Sequence, residues 1–294
     1  MKNSADKTIK YLFAVILYGT IGYFLHYINA ASGFVVMCRG LIGSLFILLV
    51  MFIKKDLPDL KAIKNNLLYL VVSGIALGLN WVFLFSGYKY SISISSLCNY
   101  TAPIMVVIIS ALFLKEKIKH KQALCILCSF VGVLLISGIF DSNEATDMHG
   151  FVYGMLAAIG FVALVLCNRK LKNIKPLDKT VVQLFASFIT VLPYVLANHS
   201  MPTNLDKDSL LLILMLGIVH TGIAYIFYFG SIDTLPVSKV AILGYIEPVL
   251  SIITGVVFFK EKLSILGGIG ALLILVSAIV SETSNKSWFL EILE

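Results

Sequence analysis

The chain is a succession of apolar runs, each about as long as a bilayer is thick. They fall at roughly 9–27, 33–53, 66–87, 92–114, 122–140, 150–168, 179–197, 209–230, 239–259 and 264–282. A span needs about 20 such residues wound as a helix, because lipid offers the backbone no hydrogen-bond partner. The connections run to about a dozen residues, too short for a soluble domain. Composition agrees: 59% of residues are apolar or aromatic and 13% charged, against about 45–50% and about 25% in soluble domains. The expected fold is all-α and integral to the membrane, with ten transmembrane helices. The first run has no small-residue cleavage site and reads as a retained span, not a signal peptide. The N-terminus is no Arg- and Ser-rich presequence either, which favours a bacterial inner (plasma) membrane.

A second feature divides the chain. Tyr100–Lys117 reads YTAPIMVVIISALFLKEK, and 145 positions later Tyr245–Lys262 reads YIEPVLSIITGVVFFKEK. Without a gap, Tyr100 falls on Tyr245, Pro103 on Pro248, Ile108 on Ile253 and Phe113 on Phe258. The offset is half of the 294 residues, so the chain reads as a degenerate tandem duplication with repeats 1–144 and 145–294. Each repeat holds five spans, an odd number, so the second copy enters the membrane from the opposite side. That is the inverted repeat typical of secondary transporters.

Lysine and arginine set the orientation. With a cytoplasmic N-terminus, the inside segments hold Lys2, Lys7, Lys10, Lys54, Lys55, Lys61, Lys64, Lys115, Lys117, Lys119 and Lys121. They also hold Arg169, Lys170, Lys172, Lys175, Lys179, Lys239 and Lys286, which makes 18. The outside holds four: Lys89, Lys207, Lys260 and Lys262. Both termini are expected in the cytoplasm, and the net charge of +7 is a topology signal that implies no nucleic acid. A lipid-binding role for the 169–179 loop is a lesser alternative. Lysines at helix C-termini also complement the macrodipole, so the two Lys-Glu-Lys triplets read as helix ends. Glu116 and Glu261 then serve as local ion-pair partners.

Two charged residues lie well inside the spans, Arg39 and Glu247. A charge at a helix centre costs about 2.5–3.5 kcal/mol on insertion scales. Glu247 is near mid-depth, roughly 12 Å into its run. Pro248 beside it frees a carbonyl one turn back, near Gly244. Together they can hold a cation, a proton or an ammonium group; the structural alternative is a hydrogen-bonded glutamate joining two helices. Arg39 lies near the outer end of its run, where it either snorkels outward or gates the mouth and attracts anions. Pro103 and Pro248 occupy equivalent positions and are expected as hinges.

A polar-aromatic set completes the candidates: Asn80, Trp81, Tyr100, Tyr225 and Tyr245. These suit an ammonium ion or a flat ring, although Trp and Tyr also populate membrane interfaces. His220 is a candidate for ion or proton coupling, with a buried hydrogen bond among small residues as its alternative. Gly74 and Gly78 read as a packing surface. Cys125-x-x-Cys128 has no histidine cluster beside it, so no metal site is expected.

The paired spans, an early polar residue in the second helix of each half (Arg39 and Gln183), Glu247–Pro248 and the paired Lys-Glu-Lys ends resemble the EamA family of the drug/metabolite transporter superfamily. The resemblance covers nearly the whole chain. It implies ten helices in two inverted fives around a cavity lined by helices 1, 3, 4, 6, 8 and 9, and transport of small solutes such as amino acids or other metabolites. The loops leave no room for a nucleotide-binding domain, so no cofactor is expected and gradients must supply any energy. The expected protein is a monomeric, non-enzymatic transporter whose partners are a small solute and membrane lipid. The alternatives are a structural or signalling multi-pass protein and an intramembrane enzyme, though no catalytic pairing stands at one depth.

Overall fold

A computed structural model describes residues 2–102, 104–106, 108–109, 120–136, 148–232, 235, 243–244 and 246–283. The helices are α1 (Lys2–His26), α2 (Ser32–Ile53), α3 (Leu60–Asn65), α4 (Leu67–Gly87), α5 (Ile92–Asn99) and α6 (His120–Ile136). Next come α7 (Met148–Asn168), α8 (Pro176–Ala197), α9 (Lys207–Gly217), α10 (Ala224–Ile232), α11 (Ile246–Ile253) and α12 (Ile265–Thr283). Among the described residues there is no strand. Six stretches are long and apolar enough to cross a membrane: Asp6–His26, Ser32–Ile53, Leu67–Gly87, Met148–Asn168, Pro176–Ala197 and Lys207–Ser231. Four shorter apolar helices, Ile92–Val106, Leu124–Leu135, Ile246–Phe258 and Ile265–Ser277, fall in the remaining runs.

The molecule is apolar outside and partly polar inside. Phe52, Ile53, Leu68 and Leu272 are exposed, while Ser73, Asn80, Ser95, Ser187 and Thr221 are buried. Only a hydrocarbon solvent rewards that arrangement. α2 packs on α8, α4 on both α7 and α8, α5 on α7 and α11, and α6 on α12. α1 lies against α10 and α11. Gly74 and Gly78 do form a packing surface: a Cβ on Gly74 would stand 2.8 Å from the Gln183 carbonyl. This is the close approach that small residues permit between helices in lipid.

Loops from the two halves meet at each end. At one face Asn66 Nδ2 donates to the Lys172 carbonyl (2.9 Å) and Lys172 N–H to Asn66 Oδ1 (2.9 Å), while Lys175 pairs with Asp56 at 2.5 Å. The Asp56 hydrogen bond raises the Lys175 ammonium above the usual lysine range. At the other face Asn29 N–H donates to Ser209 Oγ (2.9 Å).

Three local features depart from uninterrupted helices. α5 ends at Asn99, and Tyr100 and Thr101 turn before helical geometry resumes at Ala102. The expected hinge, Pro103, lies outside the described residues. The break comes one turn ahead of it, where a proline at 103 has no N–H to offer the Asn99 carbonyl. Ile218–Ile223, between α9 and α10, is π-helical, as is Thr254–Phe258 after α11. The Lys-Glu-Lys expectation needs correction at Glu261. Its carboxylate reaches well beyond its own helix end: it accepts from Ser91 Oγ, Ile92 N–H and Ser93 N–H, 168 or more residues away. Glu116 lies outside the described residues.

Candidate functional site

A cavity of about 500 Å³ opens among α1, α2, α4, α7, α8, α10 and the segments carrying Asn99 and Glu247, a volume in the range of small-molecule sites. Arg39 and Glu247 both line it, with Asn80, Trp81, Tyr100 and Tyr225. The structure thus brings together six of the residues singled out in the sequence. Tyr245 and Pro103 lie outside the described residues. Pro248 is buried next to Glu247. His220 does not line this cavity; its Nε2 lies 3.3 Å from Thr20 Oγ1 and its ring is buried, the hydrogen-bonded alternative.

Arg39 is where the snorkelling reading fails. The side chain is only 1% exposed and turns inward from α2. Its Nε donates to Thr221 Oγ1 at 3.0 Å, and its guanidinium carbon sits 4.3 Å over the Trp81 ring and 5.1 Å from that of Phe85. The reason is local. Gly43, one turn on, lets α2 close onto Thr221, and the π-helical turn sets that hydroxyl to donate to the Leu216 carbonyl at 2.8 Å. π turns of this kind recur at functional sites. Arg39 Nη1 is buried without a hydrogen-bond partner, and no carboxylate forms an ion pair with it among the described residues.

Glu247 occupies a different setting. The Tyr100 hydroxyl, from just beyond α5, donates to its carboxylate, and the side chain is half-buried at the start of α11. Tyr18, Tyr88 and Tyr225 line the same cavity, each within electrostatic reach of both charges. Trp81 stacks on Tyr225 with centroids 6.5 Å apart, and Tyr18 meets Tyr225 at 5.7 Å. Asn80 is less free than the sequence implies: its Nδ2 donates to Asn99 Oδ1 (3.0 Å) and to the Ala157 carbonyl (2.8 Å), pinning three helices.

The sequence reading missed Tyr11, Tyr18 and Tyr88, and it placed Lys179 in a loop although it lines the cavity. A signal for the first pair existed. Tyr11, Val15 and Tyr18 follow i, i+4, i+7 spacing and so share one helix face. Among the described residues no group of His, Cys, Asp and Glu is arranged to hold a metal.

Fold and site together define a multi-pass helical membrane protein enclosing a solute-sized cavity lined by two cationic side chains, Arg39 and Lys179, and one anionic side chain, Glu247. The chain belongs to the EamA-like transporter family, which matches over residues 7–138 and 148–283. It is 27% identical over 260 residues to the "Uncharacterized transporter YxxF" of Bacillus subtilis (strain 168), covering 87% of this chain and 83% of the relative. It is 25% identical over 263 residues to an "Uncharacterized transporter" of Clostridium kluyveri, covering 86% and 84%. One crystal structure of a protein 18% identical superposes with a TM-score of 0.63 over 94% of this chain and 97% of the other, a likeness of fold.

Proposed function

We propose that the protein is a secondary active or facilitative transporter that moves an amino acid or a similar small zwitterionic metabolite by alternating access. The observation that carries this reading is that Arg39 and Glu247, opposite in charge and unpaired with each other, line one cavity, with Lys179 a second cation on its wall. Arg39 keeps a buried donor for a carboxylate, and charge-assisted hydrogen bonds of that kind are the strong ones. Glu247 offers an acceptor for an ammonium group, and the rings lining the same cavity offer faces to an apolar side chain. Family membership supports transport.

The packing supports the inverted repeat. Numbering the apolar spans in order, the described pairs between the two halves are 1 with 8 and 9, 6 with 3 and 4, 2 with 7 and 8, 3 with 7, 4 with 9, and 5 with 10. Exchanging every span for the one five places away leaves this set unchanged, as a two-fold axis requires. Such an axis relating odd units lies in the membrane plane. In this reading the protein sits in a bacterial plasma membrane with both termini in the cytoplasm. The face joined through Asn66 and Lys172 is cytoplasmic, and the face of Asn29 and Glu261 is outer.

The test is a thermal-shift screen of the purified protein against amino acids, amines and nucleosides, followed by flux of any hit in proteoliposomes. Amino acids should raise the midpoint, and simple amines or carboxylates should do so less, since each engages one charge. Stabilisation by nucleosides alone would overturn the substrate class. Absence of both binding and flux would leave a non-transporting membrane protein. Labelling intact cells should modify a cysteine at Asn143 and spare one at Lys172; the reverse would overturn the orientation.

A further inference from the structure

We propose that Glu261 is a latch that holds the outer end of the cavity shut, tying the span that carries Glu247 to the span that carries Tyr100. The inference rests on the alternating-access reading above.

The latch is built from a short sequence. After the π-helical Thr254–Phe258 the chain leaves the helix, and Lys260 takes a left-handed φ of 53°. That reversal brings the Glu261 N–H back to the Gly255 carbonyl (2.9 Å) and throws its carboxylate across to the start of α5. There it accepts from Ser91 Oγ (2.9 Å), Ile92 N–H (2.6 Å) and Ser93 N–H (3.0 Å). The two backbone donors belong to the first turn of α5, where N–H groups have no partner within the helix and the helix dipole favours an anion. Gly255 is required for the approach, since a Cβ there would run into Ser93 Oγ and the Glu261 carboxylate.

Two further observations make this a closure and not only a helix cap. α5 already has a cap of its own, Ser91 Oγ accepting from Ile94 N–H at 3.1 Å. Beside the latch, Tyr23 of α1 packs edge-on to Phe258 at 5.2 Å, and the His26 ring meets that of Phe259 in a tilted contact at 4.1 Å. Carboxylate and rings therefore join three spans at one end. The cavity lining reaches Asn168, Lys179 and Thr180 near the opposite face, and towards the latch it ends at Ile21 and Tyr88. A π turn can rewind to an α turn at small cost in hydrogen bonds, and that change of register would lift Glu261 away from α5.

The test uses the full-length protein with its five cysteines replaced and one reporter cysteine at Leu84, a cavity-lining position. A membrane-impermeant maleimide is added from the outer side. With Glu261 intact the reporter should react slowly. Glu261→Gln should raise the rate about tenfold, as loss of a charge-assisted hydrogen bond predicts. Ser91→Ala, which removes one donor, should raise it less and serves if the first variant fails to fold. Unchanged rates in the folded variants, with a lowered thermal midpoint, would mean that Glu261 is a static cap and would overturn the latch. Flux measured in parallel separates the two ideas. Faster labelling without amino-acid flux in the parent protein sinks the substrate reading alone; unchanged labelling with normal flux sinks the latch alone.

Discussion

Arg39 and Glu247 face one cavity, yet the fold holds them in unlike ways. Arg39 is enclosed: Thr221 fixes its Nε, and Trp81 and Phe85 cover its guanidinium. It sits in the first half of α2, an unbroken 22-residue helix. Glu247 is half-buried at the start of an eight-residue helix that continues into a π-helical segment, with Pro248 beside it. The difference separates a preorganised anchor from a partner on a span that can change shape. A buried cation without a counter-ion costs several kcal/mol, and a solute carboxylate is the group that would lower that cost. In the proposed transport cycle, a carboxylate on the irregular span meets an ammonium group or proton in one access state and releases it in the other.

The largest expected effect tests the anchor. Arg39→Met replaces a buried ion by an apolar side chain of similar length, a change that is often neutral or stabilising by about 1–4 kcal/mol. The thermal midpoint should hold or rise, while solute affinity falls about 10–100-fold, the worth of a charge-assisted hydrogen bond. Arg39→Lys should recover only part, because a point charge does not reproduce the fork. A lowered midpoint with unchanged affinity would make Arg39 a structural residue and dissolve the contrast with Glu247.

Glu247→Gln comes next, with about a tenfold expected loss of flux in proteoliposomes. The amide keeps the shape and the Tyr100 contact but cannot carry charge; Glu247→Asp should retain part of the activity. Flux measured at several pH values decides between roles. If the Gln variant matches the parent in rate and pH profile, the carboxylate serves helix packing only.

How much of this was legible in the sequence follows from what each feature depends on. Helix positions follow from runs of apolar residues, so the spans were readable. Position along a run was readable too, which is why Glu247 was a candidate. Rotation about the helix axis was not. Arg39 lies near an end of its run, and only the closure of α2 onto Thr221 through Gly43 turns it inward. The π turns escaped because they shift a hydrogen-bond register by one residue without altering the apolar pattern. Glu261 looked like a local ion-pair partner because its acceptor role depends on donors at Ser91–Ser93, which no spacing rule connects to it.

A smaller effect probes the irregular span. Pro248→Ala restores a donor for the carbonyl one turn back and should stiffen the helix that carries Glu247. Flux should fall a few-fold, roughly 1 kcal/mol of barrier, with membrane insertion and midpoint unchanged. Flux at the parent rate would mean that Pro248 contributes no motion, and the mobile side of the comparison would lose its support.

The smallest effect belongs to the anchored side. Asp206 caps α9, the helix that leads into the π turn holding Thr221; its Oδ2 accepts from Ser209 N–H at 3.0 Å. That bond holds the Asp206 carboxyl below the usual aspartate range. A carboxyl depressed in the folded state contributes stability that is complete above its unfolded value, near pH 4 for aspartate, and lost as pH falls through the folded value. Asp206→Ala should therefore melt slightly below the parent at pH 7, and the two should converge in acid. The side chain is exposed, so the gap should be modest and should shrink with salt if the helix dipole contributes to it. A gap that persists unchanged at low pH would show that Asp206 acts through packing and not through its charged cap. The anchored side would then gain nothing from ionisation outside the membrane.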